Sequence, residues 1–222
     1  MKKLFKIMAI CLMTVISVGL FTACGPKSDP IPENAKYINN NAELIQAINE
    51  QQDNEYWVLK AGTYDIDPSQ TTIEYDGQTG WYLPIVKKGI TIRGKGEVVL
   101  TSTHESVNGA WASQNFITVF NDSVTIRDIK VVCKKDVNKA VEILGENTTL
   151  KNVTFDAPNG YNFAGSIYLN QNAKGKENVG TLTLENVSLN KGRITASGAN
   201  AGKIVFKNVN IDWTGIEADL IE

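Results

Sequence analysis

Four segments of the chain share one alternation, apolar-x-apolar-x-(Asn or Asp)-apolar-x-apolar: Val124–Val131, Thr149–Phe155, Leu182–Leu189 and Ile204–Ile211. Apolar residues at every second position predict short strands on either side of a break. The break falls at Asp128, Asn152, Asn186 and Asn208, a period of 22 to 24 residues stretched once to 34. Such a period is the mark of a solenoid in which each coil stacks on its neighbours. At each break the chain must turn sharply, and Asn or Asp tolerates the left-handed conformation better than other side chains. Stacked amides at these corners can also bond to one another along the axis. Gly94 is assigned the same turn role one coil earlier. These five residues therefore read as a structural ladder, although a row of Asx side chains could be mistaken for catalytic groups.

Ahead of the strands, Leu44, Ile45 and Ile48 share one helical face, and Asn40 with Glu43 three residues on makes an N-cap. One short amphipathic helix is expected, laid across the open end of the first coil, where unpaired backbone and core would otherwise meet water. Together with Trp57–Tyr64, Gly89–Gly96 and the later coils, this arrangement resembles the pectin-lyase-like superfamily over roughly residues 39–212. The resemblance implies an all-β fold, a single-stranded right-handed parallel β-helix with an N-terminal capping α-helix. It implies no particular activity, because the superfamily includes lyases, hydrolases and adhesins. A leucine-rich repeat has a similar period, but it places two residues between the last strand leucine and its Asn. Here Leu184-Glu185-Asn186 has one, and no helical segment follows. An antiparallel sandwich would show hairpin turns at shorter spacing.

The N-terminus adds an address. Lys2, Lys3 and Lys6 precede an apolar run from Ile7 to Phe21, shorter and more interrupted than a membrane span. Leu20-Phe21-Thr22-Ala23-Cys24 resembles the lipobox of bacterial lipoproteins, which implies a signal peptide at 1–23 and lipid attachment at Cys24. Residues 24–38 contain Pro26, Pro30 and Pro32 and read as a flexible tether, followed by the β-helix domain at 39–222. The expected location is the bacterial cell envelope, lipid-anchored and facing the aqueous phase, on the outer membrane if the source is Gram-negative. Cleavage before Cys24 removes three lysines and no acid, moving the formal charge from −2 to about −5. That sign, without basic clusters interleaved with aromatics, argues against nucleic acid as a partner. Only Cys133 then remains as a thiol, following Val131 and Val132 on an apolar strand, and it reads as buried and inert.

In β-helical carbohydrate enzymes, the resemblance implies, substrate lies along the outer face of the first strand of each coil. Alternation places Ile117, Val119, Val141, Ile143, Ile167, Leu169, Ile194 and Ala196 inward. The outward stack is then Thr118, Glu142, Tyr168 and Thr195, flanked by Phe120, Leu144, Asn170 and Ser197. One carboxylate and no arginine stand on it. Glycoside hydrolysis normally needs two carboxyl groups across the scissile bond. A pectate-lyase-like elimination needs clustered acids for calcium and a basic residue beside the uronate. His104, the sole histidine, falls in Thr101–Ser106 and reads as a solvated loop residue. No catalytic residue, metal site or cofactor is assigned, with calcium relevant only if the chain is a lyase. Aromatic residues outside the predicted core, among them Tyr75, Trp81, Tyr82, Trp111, Tyr161, Phe163 and Tyr168, can stack on sugars or pack beneath loops. Glu142, Tyr168, Thr118, Asn170 and Trp111 are the candidate glycan contacts. The expected function is a surface-anchored, non-catalytic β-helical lipoprotein that binds glycan or another extracellular partner. Two alternatives stand beside it: a polysaccharide lyase or glycoside hydrolase with a loop-built site, and a solenoid that self-associates through its C-terminal coil.

Overall fold

The computed structural model describes residues 29–104, 115–133, 137, 139–156, 167–170, 180–197 and 203–214. The chain divides into two units, residues 1–33 and 34–222, and every element below belongs to the second. Among the described residues no helix is long and apolar enough to cross a membrane.

The protein is all-β, built from parallel strands with one α-helix among the described residues. In chain order the elements are β1 (Lys36–Ile38), α1 (Asn41–Asn49), β2 (Tyr56–Asp65), a 3-10 turn (Pro68–Gln70), β3 (Leu83–Ile85), β4 (Thr91–Ser102) and β5 (Asn115–Val119). There follow β6 (Thr125–Cys133), β7 (Lys139–Ile143), β8 (Thr148–Asp156), β9 (Ile167–Asn170), β10 (Thr181–Ser197), β11 (Lys203–Lys207) and β12 (Asn210–Thr214). Hydrogen bonding links them into two parallel ladders, β1-β2-β4-β6-β8-β10 and β3-β5-β7-β9-β10, which meet in the long β10. β11 and β12 both pair with β10. From β2 to β9 the chain alternates between the ladders, returning to each one strand further along. Parallel pairing demands this, since a tight hairpin can join only antiparallel neighbours.

Register explains the sequence alternation. Leu83, Ile117, Val141, Ile167 and Ile194 stand opposite one another across the shorter-strand ladder. Ile92, Ile126, Leu150, Leu184 and Phe206 do the same across the longer one. These rows fill one contiguous core, in which Phe206 and Val209 are only partly buried.

The corners are made as the repeat predicts. Asp128, Asn152, Asn186 and Asn208 have φ of 57°, 53°, 52° and 53°. Their side chains bond in sequence: Asn208 Nδ2 donates to Asn186 Oδ1 at 2.8 Å, Asn186 Nδ2 to Asn152 Oδ1 at 2.9 Å, and Asn152 Nδ2 to Asp128 Oδ1 at 2.6 Å. Arg127 Nε at 2.9 Å and Arg93 Nε at 3.3 Å close the ladder on Asp128 Oδ2.

Gly94 departs from its predicted role. The left-handed glycine of this corner is Gly96, with φ of 88°. Gly94 is needed because a Cβ there would overlap the Asp128 carbonyl oxygen of the next strand. This corner is also wider, with residues 94–98 of β4 facing only 128–129 of β6.

The first edge is covered by two devices. The sequence reading extends the tether to residue 38, whereas Lys36–Ile38 form β1, paired Lys36↔Trp57 to Ile38↔Leu59. Pairing satisfies backbone groups that the β2 edge would otherwise present to water, and Ile38 gains a place in the core. Helix α1 buries Leu44, Ile45, Ala47 and Ile48 and packs on β2 and β3, one strand from each ladder. Asn40 Oδ1 accepts from the Glu43 N–H at 2.9 Å, while the Glu43 carboxylate reaches back to the Asn39 N–H at 2.8 Å.

Candidate functional site

The outer face of the shorter-strand ladder carries Pro84, Thr118, Glu142, Tyr168 and Thr195 as one in-register row. This is the stack read from the sequence. Its exposure differs from the reading: Glu142 and Thr118 are each only 1% exposed. Alternation decides which side of a strand a residue takes, and it carries no information about what lies over that side.

Glu142 is held by three donors. Asn115 Nδ2 donates to Oε2, and Lys139 Nζ at 3.2 Å and Asn170 Nδ2 at 3.0 Å both reach Oε1. A carboxylate taken out of water persists only when its oxygens are paired in this way. The Lys139 ammonium is shared with Tyr168, standing 3.8 Å from its ring centroid, a cation–π contact. Glu142 therefore acts as an anchor beneath the face. Tyr168 and Asn170, both half-buried, are the candidate glycan contacts that remain at the surface.

Lys139 and Asn115 were not legible as site residues. Both begin their strands, in register with each other, and counting by twos from Glu142 assigns them to the opposite face. A long flexible stem lets the Lys139 ammonium reach round to the carboxylate. The only sequence hint is a polar residue at the strand start three before a member of the outward stack, Lys139 before Glu142 and Asn115 before Thr118.

Beside this row runs a second one, apolar at one end. Phe120 and Leu144, outward by alternation, are buried with Trp81 in a small cluster separate from the main core, with Val86 against it. Phe120 meets Trp81 edge-on at 4.9 Å between centroids. Tyr75 stacks on Phe120 at 3.8 Å with 29° between planes, yet 39% of Tyr75 is exposed. It sits on a two-residue turn, Asp76-Gly77, with φ of 51° and 73° and with the Tyr75 and Gln78 backbones exchanging hydrogen bonds. Positive φ at both central residues is the I′ geometry of a tight hairpin. Trp81 and Tyr82, also considered for sugar stacking, are buried instead. Cys24 and Trp111 lie outside the described residues.

His104 lies between two carboxylates, Nε2 3.8 Å from Asp65 Oδ2 and Nδ1 3.7 Å from Asp67 Oδ2. Burial pushes Asp67 up, but hydrogen bonds from Ser69 and the His104 charge outweigh it, and the carboxyl sits below its ordinary range. His104 thus has a structural setting at the surface, tying the end of β4 to the segment after β2. Cys133 is buried in β6, and burial, helped by the Asp156 charge, pushes its thiol up to about 12. A thiol so held is a poor nucleophile at neutral pH.

No protein-family model, no curated protein and no solved structure matches the chain.

Proposed function

We propose that the chain is a right-handed parallel β-helix of the pectin-lyase-like kind, lipid-anchored at Cys24 in a bacterial cell envelope, that binds glycan on the outer face of its shorter-strand ladder. In-register parallel pairing, left-handed Asx corners and a helix against the first strands support the architecture. The observation that carries the function is the Tyr168 site. A half-buried ring on a rigid strand is fixed by Lys139, Lys139 is fixed by Glu142, and the Asn170 amide stands two residues away. Flat rings beside oriented polar groups suit pyranose rings, which present C–H faces and hydroxyl edges. Because Glu142 and Lys139 neutralise each other, the patch offers stacking and hydrogen bonds in preference to net charge.

A broad polysaccharide array tests this. The intact protein should retain at least one polymer, and Tyr168→Ala should lose about tenfold in affinity for it, within the range of one aromatic contact. No retention of any polymer, or an unchanged Tyr168→Ala, would remove the support for this reading.

One observation favours a second role beside binding. Among the described residues β11 and β12 pair on one side only, and Phe206 and Val209 of this last stretch are partly exposed where their counterparts in earlier strands are buried. Such an edge suits self-association through the C-terminal coil. Sedimentation over a wide concentration range should then show a dimer, and a constant monomer mass would exclude it.

A further inference from the structure

We propose that Lys139 and Asn115 become joined by an intramolecular amide bond, with Glu142 carrying the protons. The inference does not rest on the glycan reading. Its basis is that two reactive groups meet on one carboxylate: Lys139 Nζ stands 3.2 Å from Glu142 Oε1, and Asn115 Nδ2 donates to Oε2 of the same group. A primary amine, a primary carboxamide and a buried acid between them are the components of a transamidation. Glu142 and Asn115 are 1% and 2% exposed, so water is kept from both the base and the amide carbon.

Reach selects Asn115 over Asn170, the other amide on Glu142. Asn115 and Lys139 are register partners on β5 and β7, on parallel strands about 4.8 Å apart. A lysine stem and an asparagine side chain span that distance with length to spare. Asn170 lies two residues past Tyr168, the partner of Glu142, whereas Lys139 lies three residues before Glu142. Five residues of strand rise place the two roughly 16 Å apart, more than their side chains cover together. Holding amine and amide on one rigid carboxylate replaces a bimolecular encounter, a large part of the barrier to amide exchange.

The step balances without an oxidant or a second substrate. Glu142 takes one proton from the Lys139 ammonium, and the freed lone pair of Nζ adds to Asn115 Cγ. The bond from Nζ to Cγ forms, Nδ2 gains a proton that Nζ releases through the carboxyl, the bond from Cγ to Nδ2 breaks, and ammonia leaves. An ion pair and a carboxamide thus become a secondary amide, a neutral Glu142 carboxyl and ammonia. No charge of the pair is left buried, which favours the product in a desolvated site. The 28% of the Lys139 side chain that faces solvent gives ammonia an exit. The bond closes residues 115–139 into a covalent loop across two neighbouring strands, so the solenoid resists separation of β5 from β7.

Tandem mass spectrometry of a tryptic digest of the full-length protein tests this. One branched peptide should join Asn115 to Lys139, lighter by one ammonia than the linear peptides together, and trypsin should fail to cut after Lys139. Lys139→Arg, which keeps the charge, and Asn115→Ala should yield linear peptides only, with a lower melting temperature than the intact protein. Glu142→Gln should also stay linear although both partners are present, because Gln cannot take the proton. Circular dichroism reports whether each variant has folded, and the peptide map of the intact protein decides the proposal even where a variant has not. A free Lys139 amine and an unaltered Asn115 in the intact protein overturn the bond. A branched peptide at Asn170 overturns the choice of partner, and one formed undiminished in folded Glu142→Gln overturns the role of Glu142.

Discussion

At Asn186 a backbone requirement and two side-chain bonds coincide. Its φ of 52° is unfavourable for residues other than Gly, Asn and Asp, and its amide both donates to Asn152 and accepts from Asn208. Asn186→Gly keeps the backbone and loses only the exposed amide bonds, so it should cost about 1 kcal/mol. Asn186→Ala adds the left-handed penalty and should cost about 2 kcal/mol. Urea unfolding of the two variants separates the contributions, and equal losses would show that the turn conformation matters little. Gly94→Ala should be worse, about 3 kcal/mol, because its Cβ meets backbone of the next strand that has nowhere to move. At Glu142, substitution by Gln leaves Lys139 without its counter-ion. Since 28% of the Lys139 side chain remains in solvent, the expected loss is about 2 kcal/mol, below that of a fully buried pair. A loosened Tyr168 ring should accompany it, seen as a loss of glycan affinity in Glu142→Gln although Glu142 itself is buried.

Among the elements, α1 depends most on its first turn. Asn40→Ala removes the cap on the Glu43 N–H and should cost about 1 kcal/mol, read as a lower urea midpoint. Glu43 adds a pH dependence. The Asn39 backbone N–H, followed by the Asn39 and Asn40 side chains, holds its carboxyl below the ordinary 4.5. For a carboxyl lowered in the folded state, the stabilisation is present above the unfolded value and disappears as pH falls through the folded one. Amides of α1 should therefore exchange faster as pH drops below about 4.5 than the intrinsic rate predicts, and Glu43→Gln should abolish that dependence. The helix was legible because capping and a 3.6-residue apolar stripe are local properties. β1 was not, because three residues among prolines and polar residues carry no periodicity, and only the open edge of β2 makes them a strand.

Across the whole molecule, each strand pairs only with its neighbours in a ladder, so protection should follow position along it. β4, β6 and β8 have partners on both sides and should be the last to exchange, whereas β11 and β12, paired on one side, should be among the first. Uniform protection across these strands would contradict that order. Cys133, buried near the middle at the end of β6, reports on the same opening by its labelling rate. Its thiol ordinarily ionises near 9 but is held up to about 12 in the fold. As pH rises above 9 the unfolded chain releases a proton that the folded chain keeps, so stability should fall between about 9 and 12. Cys133→Ala removes this alkaline slope, at the cost of a small cavity.

The amino-acid sequence by itself determined the features that depend on spacing alone. Its period-two alternation decides which residues face the core, and the recurrence of Asp128, Asn152, Asn186 and Asn208 marks the corners. Together they yield the row Thr118, Glu142, Tyr168 and Thr195 before any coordinate is known. Tertiary structure alone decided what covers each face and which distant groups meet there. Glu142 became a buried anchor because Asn115, Lys139 and Asn170, from three different strands, converge on it. Gly94 is needed for a close approach by Asp128, and Tyr75 gains its platform from Phe120, 45 residues further along. Periodicity is a local property of the chain, whereas desolvation, pairing of charges and contact between rings depend on residues that only folding brings together.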